Sequence, residues 1–320
     1  MMDYEQFKER VLSEFIDYLP IEYSDCRLEL HKVTKINEVL TGVAIVPEND
    51  GDRYAAPTFY LERLYEQYRD AGNFEECLST QSEILMQSVN YLPRDIGDMD
   101  FSSMTGRIVF QLVNRLRNTD MIANCPHRDF LDLTVVYRMI TDILPDGVSG
   151  FLINDNIARS EHWTEAELYD MALRNTPELF PYIALRIEEM MGRIMSRCNN
   201  KDFVFDDMFP EFNRTPPREC VYVASNDSEY LGATVLLYPE FIKAVAGKIG
   251  TDCYLLPSSI HEIIILSSGM YKEAGRLAEL VRSTNESQVS VGDRLSDSIY
   301  LFSRDKGSIQ CIDYLEREAL

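Results

Sequence analysis

"YLLPSSIHEIIILSSG" (residues 254–269) decides how the chain reads. Apolar Tyr254-Leu255-Leu256 and Ile263-Ile264-Ile265-Leu266 enclose six residues of different character, Pro257-Ser258-Ser259-Ile260-His261-Glu262. Short apolar runs bounded by proline and serine read as strands, and a run without alternation reads as one buried on both faces. Two such runs around a polar tip predict an antiparallel hairpin.

Working outward, Val221–Ser225 and Ala233–Tyr238 predict strands, and Pro239–Ile249 a helix closed by Gly250. On the other side, Tyr271–Ser283 predicts a helix, and Ser298–Phe302 with Gly307–Cys311 a last hairpin. The order strand, strand, helix recurs at 27–72, 130–175, 221–250 and 253–284. This implies an α+β fold: antiparallel sheets built from repeated strand–strand–helix units, with helices covering one face.

The remaining segments fit that frame. Tyr4, Phe7, Val11, Leu12, Phe15 and Ile16 recur at helical spacing before Pro20. Strands are expected at 27–34 and 39–46, a helix from Pro57 to Gly72, and another at 74–89. Residues 93–100 read as a loop, and 103–116 fits strand and helix about equally. Phe130–Ile140 reads as a strand pairing with Gly150–Asn154 across Pro145-Asp146-Gly147. Thr164 and Glu167 form a capping-box pattern, and Asn175-Thr176-Pro177 reads as the stop of that helix. A further helix is expected at 182–197, with Ile183, Ile187, Met190, Met191 and Ile194 on one face. Residues 201–218, acidic and rich in phenylalanine and proline, read as a linker-like segment. It would separate an N-terminal α+β region, 1–200, from a C-terminal one, 219–320, unless the two form one continuous domain.

With 320 residues, 45% hydrophobic and 26% charged, the composition is that of a soluble globular protein. No apolar run is long enough to span a membrane, and the charged N-terminus lacks the pattern of a secretion signal. Seven scattered cysteines without a CxxC point to a reducing cytoplasm and against a structural zinc. A net charge of −22 makes direct nucleic-acid binding unfavourable, because that affinity comes from cations meeting phosphates. It suits a solvated surface or a basic protein partner.

Six stretches carry a family resemblance: HRDFLDLTVVYRM (127–139), RNTPELFP (174–181), GATVLLYP (232–239), YLLPSSIHEIIIL (254–266), NESQV (285–289) and LSDSIY (295–300). In sequence and order they resemble a domain-of-unknown-function family common in anaerobic Gram-positive bacteria and often met near mobile elements. The resemblance covers nearly the whole chain and implies no chemistry. Family members often have proline where this chain has Ser267-Ser268-Gly269.

Ser259, His261 and Glu262 are the candidate catalytic residues, as nucleophile, base and orienting carboxylate. In an extended segment Ser259 and His261 share a side while Glu262 points away, and no GxSxG elbow is present. The same serines serve equally as turn formers. His127, with Asp129 or Asp132, could join His261 and Glu262 around a metal, but no ligand pair has HExxH spacing, so neither metal nor cofactor is expected. Ser258, Asn175, Asn226 and Asn285 are candidate binding residues, with turn or cap roles as the simpler account. Three functions follow. The favoured one is a cytoplasmic binding or regulatory protein acting through contacts with another protein. The alternatives are a small Ser/His/Glu hydrolase and an acidic nucleic-acid mimic.

Overall fold

The structure, a computed structural model, describes residues 1–47, 56–89, 101–144, 147–197, 205–271 and 274–312. The loop expected at 93–100, the Pro145-Asp146 turn, Cys198 and the start of the 201–218 segment lie outside the described residues. The chain divides into two compact units, Met1–Asp100 and Phe101–Leu320.

In the first unit, α1 (Tyr4–Glu14) opens on a reciprocal capping box: the Asp3 side chain accepts from the Gln6 N–H, and the Gln6 side chain from the Asp3 N–H. β1 (Cys26–Lys35) and β2 (Glu38–Pro47) form a hairpin whose tight turn places Asn37 at φ 62°, a conformation asparagine tolerates. β3 (Thr58–Tyr60) pairs with β2, so the helix expected from Pro57 starts later, as α2 (Leu61–Ala71). Gly72, at φ 73°, ends α2, and α3 (Phe74–Val89) follows. Phe7, Val11, Phe15, Val43, Ile45, Phe59, Leu61, Leu64 and Leu78 make the core.

The second unit holds two antiparallel sheets. Its first part runs β4 (Ile108–Asn114), α4 (Thr119–Ile122), β5 (His127–Phe130), β6 (Leu133–Leu144), β7 (Gly147–Leu152), α5 (Asp155–Ser160) and α6 (Glu165–Leu179). Then come β8 (Tyr182–Arg186), α7 (Ile187–Arg197), α8 (Phe205–Met208), β9 (Val221–Asn226), α9 (Phe241–Ile249), β10 (Cys253–Leu256), β11 (Ile263–Ser267), α10 (Ala274–Gln288), β12 (Tyr300–Ser303) and β13 (Ser308–Cys311). In the smaller sheet β6 is central. β4 takes one edge of it, while β5 and β7 share the other. The larger sheet has the order β13-β12-β10-β11-β9-β8.

The opening hairpin is β10–β11, with Leu255 opposite Ile265. Tyr254, Leu256, Ile264 and Leu266 pack under Leu277, Ala278 and Val281 of α10, while Cys253, Leu255, Ile263 and Ile265 are buried on the opposite face. Burial on both faces is why the run lacks alternation.

Three expectations are corrected. α6 does not stop at Asn175-Thr176-Pro177 but continues to Leu179. Tertiary bonds hold its last turns: Asn175 donates to the carbonyls of Thr105 and Ile108, and the Thr176 hydroxyl accepts from the Phe110 N–H. Residues 182–186, expected as helix, form edge strand β8, paired to β9. Residues 232–237, expected as strand, form a buried 3₁₀ helix. The ambiguous 103–116 resolves into a 3₁₀ turn followed by β4. Because β8 pairs with β9, strands on either side of 201–218 share one sheet.

Candidate functional site

Residues 257–262 connect β10 to β11, and their polar groups turn to backbone. Ser259 is buried, and its Oγ accepts from the His261 N–H at 3.0 Å, a serine turn. The Ile260 N–H donates to the Asp293 carbonyl, and the Ser258 and Pro257 carbonyls accept from the Leu295 and Ser296 N–H groups. On the other flank the Ala233 N–H donates to the Ile260 carbonyl, and the Ser225 hydroxyl to the His261 carbonyl at 2.7 Å. The tip is therefore stitched to residues 293–296 on one side and to 225–233 on the other.

Both nitrogens of the His261 ring have partners other than Ser259 Oγ. Its Nδ1 lies 3.2 Å from the Glu229 carbonyl oxygen and its Nε2 3.4 Å from Asp293 Oδ1. Burial raises the Glu262 carboxyl above its ordinary range, against the smaller opposing pull of His261 and Ser259. His127 belongs to the other sheet, on β5, with its Nδ1 2.9 Å from the Cys125 carbonyl oxygen. Among the described residues no group of three or more His, Cys, Asp or Glu is placed to hold a metal ion.

The binding candidates separate as well. The Asn226 side chain is buried and closes its own loop, bonding both the N–H and the carbonyl of Tyr230. Asn175 holds α6 to β4 and the turn before it. Asn285 lies within α10 and reaches the Ser296 carbonyl at 3.0 Å and Asp297 Oδ1 at 2.7 Å.

That last contact leads to a second locus, centred on the β5–β6 hairpin. Its tight turn is Leu131-Asp132, with Leu131 at φ 55° where glycine is usual. Asp132 is fastened to residues far along the chain: Oδ2 accepts from the Ser296 hydroxyl at 2.7 Å and Oδ1 from the Tyr300 hydroxyl. Burial, then the Asp132 charge, drive the Tyr300 hydroxyl well above its ordinary pKa. At the other end of the hairpin, Arg128 grips Glu165 of α6 through two bonds of 3.0 and 2.8 Å and lies 3.7 Å over the Tyr169 ring. The Tyr137 hydroxyl donates to the same carboxylate. Burial alone would raise Glu165, but the Arg128 and Tyr137 bonds outweigh it and hold it below the usual range.

Beside Asp132 opens a cavity of about 590 Å³, lined by Asn114, Arg115, Leu116, Leu131, Asp132, Ser298 and Cys311. That volume falls within the range of small-ligand pockets. Arg115 props the turn from beneath, donating to the Leu131 and Leu133 carbonyls at 2.5 and 3.1 Å, with Nε 3.3 Å from Asp129. Asn114 donates to the Leu295 carbonyl and accepts from the Arg117 N–H; Arg117 lies 3.5 Å from Asp297. The cavity thus lies where HRDFLDL meets LSDSIY, the latter held in turn by Asn285 of NESQV.

Sequence reasoning weighed Asp132 only as a metal helper and left Ser296, Ser298 and Tyr300 unassigned. The available signal was the polar density of LSDSIY beside apolar strands.

A single family model spans residues 4–304. The chain belongs to DUF5688, a family of unknown function. The DUF5688 match reaches into both compact units and includes every cavity-lining residue except Cys311. No curated protein and no solved structure matches the chain. Among the described residues, no helix is long and apolar enough to cross a membrane.

Proposed function

We propose that this protein works by binding, that its partner is another protein, and that it breaks no bond. The observation that carries the reading is the commitment of the polar tip. Ser259 is buried and bonded to the backbone of its own turn, while both His261 ring nitrogens face Glu229 and Asp293. A serine nucleophile needs a base within hydrogen-bond reach, oriented by a third group. Here the imidazole braces a loop. The cavity beside Asp132 is the recognition site of this reading, because it joins apolar walls to a few convergent polar groups. Cys26, Cys77, Cys125, Cys220 and Cys253 are free, which favours a reducing compartment such as the cytoplasm. The formal charge of −22 favours a basic partner.

The test is affinity capture from a native extract with the full chain, the cavity-filling variant Ser298→Trp and the variant His261→Ala. Ser298→Trp is expected to lose the captured protein and His261→Ala to keep it. Purified protein is expected to leave ester, amide and phosphate substrates unchanged. Turnover that vanishes in His261→Ala at an unchanged Tm would overturn the reading.

A further inference from the structure

We infer that the cavity beside Asp132 receives a cation: an alkylammonium or guanidinium group on a short aliphatic stem. This rests on the binding reading above and adds the chemical class of what is bound.

The inference follows from the charges around the cavity. Arg115 has its counter-ion in Asp129, at 3.3 Å, and Arg117 has one in Asp297, at 3.5 Å. Asp132 has none among the described residues: its bonds there come from the hydroxyls of Ser296 and Tyr300, which are neutral donors. Among the described residues no ion pair reaches it. Among the described residues, the cavity therefore holds one carboxylate with no ion pair, with Arg115 already engaged by the turn it supports.

The geometry suits a cation in two further ways. Each carboxylate oxygen has about two lone-pair directions, and each Asp132 oxygen uses one on a hydroxyl, leaving capacity for an N–H donor. The lining beside the carboxylate includes Leu131 and, at the exposed rim, Leu116, which can take the methylene stem of a group whose charged head goes to Asp132. An anion entering the same space meets the Asp132 carboxylate, while the Arg115 guanidinium in the lining is engaged by Asp129 and the turn carbonyls. The acidic excess of the chain draws cations toward the opening.

The experiment is isothermal titration of the full chain with four probes of matched size: butylamine, butylguanidine, butyrate and 1-butanol. A lysine tripeptide blocked at both ends, and its norleucine counterpart, complete the set. The two cations are expected to bind at least about tenfold more tightly than butyrate or butanol, and the lysine peptide likewise over its norleucine form. Asp132→Asn should erase that preference. Because Asp132→Asn also alters the Tyr300 and Ser296 bonds, Ser298→Trp serves as the second variant. It fills the cavity, leaves those bonds in place, and should abolish binding of every probe. A peptide binding more tightly than the free amine marks a protein side chain as the source of the cation; the reverse marks a small free amine. Both results support the inference.

Butyrate or butanol binding as well as butylamine would overturn it. If that binding were still lost in Ser298→Trp, the cavity would remain a recognition site and only the cation would fall. No binding by any probe, with partner capture unchanged in Ser298→Trp, would remove both the cation and the cavity's role.

Discussion

Gly232→Ala tests the stitching of the polar tip most directly. A Cβ at 232 would stand 2.0 Å from Ser225 Oγ and 2.1 Å from the His261 carbonyl oxygen, whereas real Cβ contacts essentially never fall under 3.0 Å. The neighbours must move by about 1 Å, which breaks the 2.7 Å bond between them. Losing that bond costs about 1 kcal/mol and overpacking adds roughly 1–3, for a total of about 2–4 kcal/mol. The only tryptophan, Trp163, lies in the second unit, so its fluorescence in a urea titration reports the right transition. Adding Ser225→Ala to Gly232→Ala should recover only part of the loss, because the His261 carbonyl belongs to the main chain and stays. A loss below about 1 kcal/mol for Gly232→Ala would show that the tip is not clamped as described.

Glu262→Gln should stabilise the protein at neutral pH. Burial raises the folded carboxyl above its ordinary value of 4.5, so ionisation opposes folding: the gain grows as pH climbs past 4.5 and is absent below it. Urea midpoints across that range would check this, and no gain at pH 7 would contradict it. Glu165 has the opposite sign. Its folded carboxyl is lowered, so its stabilisation is present above the ordinary value of 4.5 and lost as pH falls through the folded pKa. Arg128→Ala should therefore cost about 1 kcal/mol at pH 7, since the pair is partly exposed, and move acid unfolding to higher pH. An unmoved acid midpoint would count against the clasp. Burial pushes the Cys125 and Cys253 thiols up to about 12, so alkylation at pH 8 followed by peptide mass analysis should find both unmodified until the chain unfolds.

The opening hairpin could be read from residues alone because continuous apolar runs broken by Pro257 leave few other arrangements. The start of α6 was equally plain, since the Thr164–Glu167 capping box is local chemistry. Its end was not. Pro177 signals a stop, yet bonds from Asn175 and Thr176 to the region of β4 keep the helix going. Tyr182–Arg186 failed for the same reason: Ile183 and Ile187 fit a helical face, and only the presence of β9 alongside makes a strand preferable. The segment after Gly232 looked like a strand because it is mostly apolar, but all of Gly232–Leu236 is buried, which a 3₁₀ helix permits as well. The cavity was hidden by distance along the chain. Asp132 meets Ser296 and Tyr300 across more than 160 residues, and no spacing rule reaches that far.

Leu131 occupies a left-handed turn position that a branched-chain residue enters only at a conformational cost of about 1 kcal/mol or more. Folding alone would be served better by glycine there. Glycine, however, would strip one aliphatic wall from beside Asp132. The turn thus trades local ease for a greasy lip, and exchanging Leu131 for glycine would test whether that lip contributes to the binding proposed for the cavity.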